Sequence, residues 1–448
     1  MKFSIAAVYS FFLLESASAF LPLKSSKISS TVLLQSTNTA VNNVILRPSE
    51  TEEDVFDSLK IGGCRVHRYA GDTIEDASTN YVMWYHGRSV EQDADKSLPP
   101  LSTGRIGRAT SMNGLVFEKD RKGSDAEDMS GVAVGLNTDS WWGFDTAHVG
   151  LGSVLLPMST PAIMAEGGVY LMYYMGGSHE ETPINDYTAA DMPADATIKG
   201  MKMKIGVCVS QDGKTWGRVE GDDPSGACMA PYDKADPNTM EMASLKDDDG
   251  SDLDLPEELY CAWPDVVVKI DENDAANSGF FMYYSTMTKD DKEKSIAVAV
   301  SDDGFRWDKR GLCLTPSNDE DSMDNGGCAR CTIVRNASFD PNEGQWSDAA
   351  GYAMYYEGVS KKDNKHRIMM ATSDDGRKWE KHGVVLDLGE DGLWDCDGVG
   401  SPHVLRMDDG SERMYYVGQC GTETAIGVAK LEQDAKEWTR EQSTITFA

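Results

Sequence analysis

Short apolar strings recur along the chain, each followed by a polar turn and a second apolar run. Val82-Met-Trp-Tyr85, Leu171-Met-Tyr-Tyr174, Phe281-Met-Tyr-Tyr284, Ala353-Met-Tyr-Tyr356 and Arg413-Met-Tyr-Tyr416 are five versions of one string. Downstream stand Ser210-Gln-Asp-Gly-Lys-Thr-Trp216, Ser301-Asp-Asp-Gly-Phe-Arg-Trp307 and Ser373-Asp-Asp-Gly-Arg-Lys-Trp379, with a weaker version at Ser111-Met-Asn-Gly-Leu-Val-Phe117. The strong copies follow apolar runs at Ile205 to Val209, Ile296 to Val300 and Ile368 to Ala371. Asp-Gly or Asn-Gly supplies the positive φ that a tight hairpin needs. The aromatic residue three positions past the glycine is expected to fold back onto its own strand pair. Two strings recurring in the same order predict an all-β fold, a five-bladed β-propeller of four-stranded antiparallel blades.

The repeats place blade one over Cys64 to Phe117 and blade two from about Val149 to Trp216. Blades three, four and five run over Val266 to Trp307, Thr332 to Trp379 and His403 to Ala429, and Asp434 to Trp438 stands in for the last turn. Ring closure by a strand near Val55 to Ile61 is open at this level. Residues 178–200 and the acidic stretch 221–259 interrupt the rhythm. Asp247-Asp-Asp-Gly-Ser-Asp252 lacks the order of an EF-hand loop, so a solvated surface loop is expected there.

The N-terminus has its own pattern. An apolar run from Phe3 to Leu14 ends in small residues at Ser16 to Ala19, as in a signal peptide (1–19). Residues 20–49 then read as a transit-peptide-like segment, and the propeller domain is expected over 50–448. The junction Ala17-Ser-Ala-Phe20 resembles the bipartite plastid-targeting presequence of diatoms and related algae. The alternative is secretion. No other apolar run is long enough to span a bilayer.

Composition narrows the partners. The 448 residues carry a formal net charge of −32, which disfavours nucleic acid and anionic membranes. Nine scattered cysteines argue against a complete disulfide framework. Cys328 and Cys331 are expected to point to opposite faces of one strand, which argues against a zinc knuckle; no metal or cofactor is expected.

Together the Met-Tyr-Tyr strings and Ser-x-Asp-Gly-x-x-Trp hairpins resemble the five-bladed propellers of the arabinanase, levansucrase and invertase superfamily (glycoside hydrolase family 43/32-like). The resemblance covers roughly residues 60–440. It implies carboxylates around a central axis, from the innermost strands of the first three blades, acting as general acid and as nucleophile or base. Aligning the repeats gives a slot in each blade. The blades read Cys64-Arg-Val-His-Arg68, Gly150-Leu-Gly-Ser-Val154, Ala262-Trp-Pro-Asp-Val266, Ala329-Arg-Cys-Thr-Ile333 and Gly400-Ser-Pro-His-Val404. No residue in the two leading positions is acidic. Where the invertase-type motif Glu-Cys-Pro-Asp has its acid, this chain has Ala262.

A different set of residues gathers at the expected axis. Asp265, His403 and His67 follow the slot, Arg65 and Arg330 precede it, and Trp263 could stack on a ring. Strand B returns to the face where strand A begins, which puts His86, Arg88 and Glu357 on one face. Asp145, His148, Asp395 and Asp397 lie on loops leading into blades two and five. The arginines could hold a carboxylate or phosphate. Asp265 and Glu357 are the candidate catalytic pair; Arg65, His67, His86, Arg88, Asp145, Trp263, Arg330, Asp397 and His403 are candidate ligand contacts. Two function classes stay open. One is a glycoside hydrolase-like propeller taking a sugar or anionic sugar-like ligand at its axis. The other is a non-catalytic plastid propeller serving as a protein-binding or assembly platform.

Overall fold

Each Met-Tyr-Tyr string becomes the second strand of an antiparallel meander. A computed structural model describes residues 43–49, 55–70, 79–89, 104–120, 131–158, 168–188, 192–241, 250–253, 255–269 and 279–441. In chain order, β1 (Val44–Leu46) precedes sheet one: β2 (Lys60–Ala70), β3 (Thr79–Arg88), β4 (Gly104–Ser111), β5 (Glu118–Lys119) and β6 (Val132–Val134). Sheet two holds β7 (His148–Met158), β8 (Val169–Gly177), β11 (Lys204–Ser210) and β12 (Gly217–Val219); a small ribbon of β9 (Glu181–Pro183) and β10 (Thr197–Lys199) is inserted within it. A short helix, α1 (Pro237–Glu241), leads to sheet three: β13 (Glu258–Lys269), β14 (Gly279–Thr288), β15 (Lys294–Ser301) and β16 (Asp308–Leu314). Sheet four is β17 (Gly327–Asp340), β18 (Gln345–Val359), β19 (His366–Ser373) and β20 (Glu380–Leu386). Sheet five is β21 (Gly398–Arg406), β22 (Glu412–Cys420), β23 (Glu423–Leu431) and β24 (Thr439–Arg440), joined to sheet four by a parallel bridge between His366 and Gly398. The first strands touch in sequence, β2 to β7, β13, β17, β21 and back to β2, so the sheets close a ring. The fold is a β-propeller.

The hairpins fasten neighbouring sheets to one another. The serine Oγ accepts from the glycine N–H at Ser210–Gly213 (2.9 Å), Ser301–Gly304 (2.8 Å) and Ser373–Gly376 (2.9 Å). The Asp303 carboxylate accepts from Phe305 and Arg306 N–H at 2.7 and 2.8 Å. The aspartates are therefore turn residues, which fits their short side chains. The glycine carbonyl, freed by the positive φ, then takes a donor from the preceding sheet. Trp84 Nε1 donates to Gly213 O (3.0 Å), Tyr173 to Gly304 O (2.8 Å), Tyr283 to Gly376 O (2.6 Å) and Tyr415 to Gly114 O (3.1 Å). Sheet four reaches sheet five by Tyr355 edge-on to Trp438, centroids 5.7 Å apart. The hairpin aromatics pack across the same seams: Trp307 on Tyr173 and Trp379 on Tyr283, both at 5.7 Å. Their contact is with the neighbouring sheet, not only with their own strand pair as the repeat alone suggested.

The next residue along each second strand points to the other face and makes a second repeated contact. Tyr85, Tyr174, Tyr284, Tyr356 and Tyr416 donate to Asp57, Asp145, Glu258, Asp324 and Asp395, at 2.7 to 2.9 Å. A cation from the outermost strand completes each group: Lys119, Arg218, Lys309, Lys381 and Arg440. Asp145 and Asp395, placed among the ligand-face residues by their loop positions, thus serve as buried anchors of their own sheets.

Three further expectations change. Residues 43–49, read as part of the leader, join the ring: β1 pairs antiparallel with β23, and Val44, Ile45 and Leu46 are buried. Asn43 accepts from Trp394 Nε1 (2.9 Å) and donates to the Tyr416 hydroxyl (2.7 Å). Residues 1–42 and Glu50 lie outside the described residues. Within the acidic insertion, Ala227 to Tyr232 run buried, and Cys228 and Met229 fill the core between sheets two and three. The stretch 242–249 lies outside the described residues. Cys328 and Cys331 share one core cluster, because a bulge between them shifts the parity of the strand.

The Tyr–carboxylate–cation groups predict a large effect of Asp145→Asn. It keeps the shape but strips the charge from a buried carboxylate that Tyr174 and the part-exposed Arg218 share, and should cost on the order of 1–3 kcal/mol. Urea unfolding measures this. Stability within 0.5 kcal/mol of the parent, on the order expected for a surface change, would remove the anchoring role.

Candidate functional site

Every first strand is bulged near its start. Register shifts fall between Ile61 and Cys64, Leu151 and Ser153, Ala262 and Asp265, Ala329 and Thr332, and Gly400 and His403. Trp263, Arg330 and Ser401 sit there with φ of 48°, 42° and 49°. Side chains rarely hold this region, and such positions collect at sites where geometry is over-determined. Pairing also fixes the true alignment of the repeats. Asp265 faces Tyr283, Thr332 faces Tyr355, His403 faces Tyr415 and Ser153 faces Tyr173. In sheet one it is Arg65 that faces Trp84. The blade-one slot is therefore Gly62-Gly63, two residues before the position inferred from sequence, and His67 lies one step deeper. The corrected slot still holds no acid.

Arg65 and Asp265 meet across the axis at 3.1 Å, both buried. Arg65 also donates to Cys64 O and Cys331 O, and Asp265 accepts from Ile333 N–H at 2.8 Å. Burial pushes the Asp265 carboxyl above its ordinary range, opposed by Arg65 and the Ile333 N–H.

A second cluster forms at the end of the ring where first strands begin and second strands end. Arg330 Nη1 donates to both Glu357 oxygens, at 2.9 and 3.1 Å. Ser401 N–H donates to Glu357 Oε2 at 3.1 Å, and His366 Nδ1 contacts Oε1. Gly400 is required here, because a Cβ would stand 2.1 Å from Glu357 Oε2. The guanidinium of Arg330 lies 4.4 Å over the Trp263 ring, so one face of that indole is already covered. Nearby, burial and then the Arg330 charge push the Lys294 amine down to about 8.

Glu357 borders a narrow cleft of about 40 Å³, partly open to solvent. Its polar lining comes from Lys60, His86, Arg88, Arg330, His366, Ser401, Gln419 and Thr424. Glu357 is the carboxylate among the lining residues. The structure thus gathers His86, Arg88 and Glu357, placed on one face by strand direction, with Arg330 from the position ahead of the slot. Asp265 and Arg65 do not line this cleft. His366 and Lys60 were missed. The signal for His366 was available, since a third strand begins on the face where the second ends.

His67 and His403 act as staples between first strands. His67 Nε2 bonds Val154 O at 2.7 Å and His403 Nε2 bonds Val66 O at 2.9 Å. Asp397 accepts from Gly421 N–H at 2.8 Å and pairs with Lys365 at 3.1 Å. His148 bonds Gly200 O at 2.8 Å.

The description "Glycosyl hydrolases family 32 N-terminal domain" matches residues 275–446, less than half of the chain. That stretch includes Arg330, Glu357, His366 and Ser401 but not Asp265. Two uncharacterized Mycobacterium tuberculosis proteins, MT1551 and Rv1502, are each 31% identical over 139 residues, which is 31% of this chain and 40% of theirs. The match thus spans less than half the length of those relatives. A glycosyl hydrolase from Bacteroides ovatus superposes with TM-score 0.52 at 14% identity, covering 91% of this chain and 95% of that one. A thermostable family-43 glycoside hydrolase gives 0.50 at 12% identity, covering 88% and 99%. These comparisons support a glycoside hydrolase-like propeller fold.

The buried histidines predict an acid-sensitive fold. Burial, with the Arg65 charge adding to it, pushes His67 down to about 4 and His403 down to about 3. Below pH about 6.5 the unfolded chain protonates these residues and the folded chain does not, so stability falls with pH. The loss between pH 7 and 5 should be on the order of 1–2 kcal/mol per histidine. Urea unfolding at both pH values, with His67→Gln and His403→Gln, checks this; the variants should show a shallower dependence. An unchanged dependence in the double variant would refute it.

Proposed function

We propose that this propeller binds an anionic, sugar-like ligand in the Glu357 cleft. The observation that carries the reading is the cleft's lining. Among the described residues, Lys60, Arg88, Arg330 and two histidines line it with one carboxylate, Glu357, in a chain whose net charge is −32. Such a pocket selects a phosphate or carboxylate by charge, while Ser401 and Gln419 suit sugar hydroxyls. The propeller fold shared with glycoside hydrolases supports a carbohydrate. A hydrolase working through two carboxylates needs them roughly 5–9 Å apart across the sugar. Here Glu357 borders the cleft and Asp265 is tied to Arg65 outside it. The reading is therefore of binding, without hydrolysis by that pair.

Calorimetric titration with neutral sugars and sugar phosphates tests the proposal. A sugar phosphate should bind the parent, and Arg88→Ala should weaken it at least tenfold. Neutral sugars bound equally well by parent and Arg88→Ala would overturn the anionic reading. No binding by any of them would favour the platform reading. That second reading draws on Trp141 and Trp142, which are 87% and 53% exposed on the loop leading into β7.

We also infer a plastid address, carried by residues ahead of Asn43. The support is the signal-like run followed by Ala17-Ser-Ala-Phe20 and a segment without acidic residues. A fluorescent protein fused behind residues 1–42 should enter the plastid of a diatom, and Phe20→Ala should hold it outside. Secretion of the parent fusion would refute the address.

A further inference from the structure

Beside the cleft, a cysteine on the loop into β21 meets a cysteine at the end of β22. Cys396 precedes β21 and Cys420 ends β22, and their sulfurs lie 2.7 Å apart. Among the described residues this is the one thiol–thiol contact. The backbone holds the pair in place from both sides. Gly398 pairs with Gln419, and Asp397 N–H donates to Gln419 O at 2.9 Å. Lys365 Nζ donates to Cys396 O at 3.0 Å and pairs with Asp397. Gly398 and Gln419 line the cleft, and Lys365 adjoins His366, the contact of Glu357.

We propose that Cys396 and Cys420 are a thiol-modification site, closing to a reversible disulfide through exchange with a small-molecule or protein disulfide. A formed bond measures about 2.05 Å, so the sulfurs need only a small approach. A shared metal ion fits less well, although Asp397 stands close enough to join both thiols as a ligand. Two thiolates on one tetrahedral zinc would sit roughly 3.8 Å apart, at about 2.3 Å from the ion, and these sulfurs are nearer than that.

Cys420 is half-exposed and Cys396 buried, which sets the order of events. The Cys420 thiolate attacks the external disulfide, forms a mixed disulfide and expels one thiolate. Cys396 then loses its proton, attacks the Cys420 sulfur and expels the second. Two electrons and two protons leave the protein, and the external disulfide ends as two thiols. Burial, then the Cys396 hydrogen bond and the charges of Asp397 and Glu423, push the Cys420 thiol up to about 12. Exchange is accordingly slow at neutral pH. The bond would tie the start of β21 to the end of β22 beside the cleft. Its formation does not depend on what the cleft binds.

The test uses the folded full-length chain, incubated with glutathione disulfide or oxidised dithiothreitol. Thiols are then counted after unfolding, and peptides are mapped by mass spectrometry. Two of the nine thiols should be lost, with one crosslink between the peptides carrying 396 and 420. Dithiothreitol should restore them, and the oxidised form should melt several degrees higher. Cys396→Ser and Cys420→Ser should lose the crosslink. A parent protein that stays folded yet forms no such crosslink would overturn the proposal. One equivalent of bound zinc that blocks crosslinking and is lost in Cys396→Ser would overturn it in favour of a metal site.

Discussion

The paired aromatics of each second strand hold the ring together. Adjacent strand residues point to opposite faces, so one aromatic reaches the next sheet and the other stays within its own. The first donates to a glycine carbonyl in the neighbouring hairpin. The second donates to a carboxylate that also meets a lysine or arginine. A buried hydroxyl left without a partner costs more than a bonded one gains. Four repeats therefore keep a hairpin glycine as acceptor and all five keep the anchoring carboxylate, while in sheet four Tyr355 packs on Trp438 instead. Blade one shows the logic by exception: Trp84 replaces tyrosine and its indole N–H finds the same carbonyl, Gly213 O.

With the seams between sheets fixed this way, every inner strand carries an irregularity of its own. Each is bulged near its start, and three of the bulges hold a non-glycine residue at positive φ. A bulge bends the strand and re-aims its side chains. Arg330 is turned toward Glu357, and Ser401 offers its N–H to the same carboxylate. Backbone strain of this kind persists where surrounding contacts over-determine it. Here those contacts are the Trp263–Arg330 stack, the Ser285 hydroxyl beneath the Arg330 N–H, and the close approach of Gly400 to Glu357.

Charge is distributed with the same economy. The chain is strongly acidic, yet the carboxylates that reach the interior, Glu357 at the cleft apart, are committed to structure. Asp57, Asp145, Glu258, Asp324 and Asp395 anchor the sheets, and Asp265 is tied to Arg65 at the axis. Burial without a counter-charge would be prohibitive, so each interior acid is paired with a cation. Among the described residues, the cleft is lined by more basic than acidic side chains.

The sequence alone determined the repeat and hence the architecture. The spacing of Met-Tyr-Tyr strings and Asp-Gly hairpins is set by local backbone chemistry, which a single strand-turn-strand unit already contains. It also placed His86, Arg88 and Glu357 on one face, since that follows from strand direction. It could not place Arg65 opposite Trp84 or separate His67 from the slot, because bulges change register without any fixed sequence mark. Nor could it reveal that Val44 to Leu46 close the ring or that Glu357 meets His366. Those contacts join residues distant along the chain or brought together by the pairing of whole strands. Only the closed ring of sheets decides which of them touch.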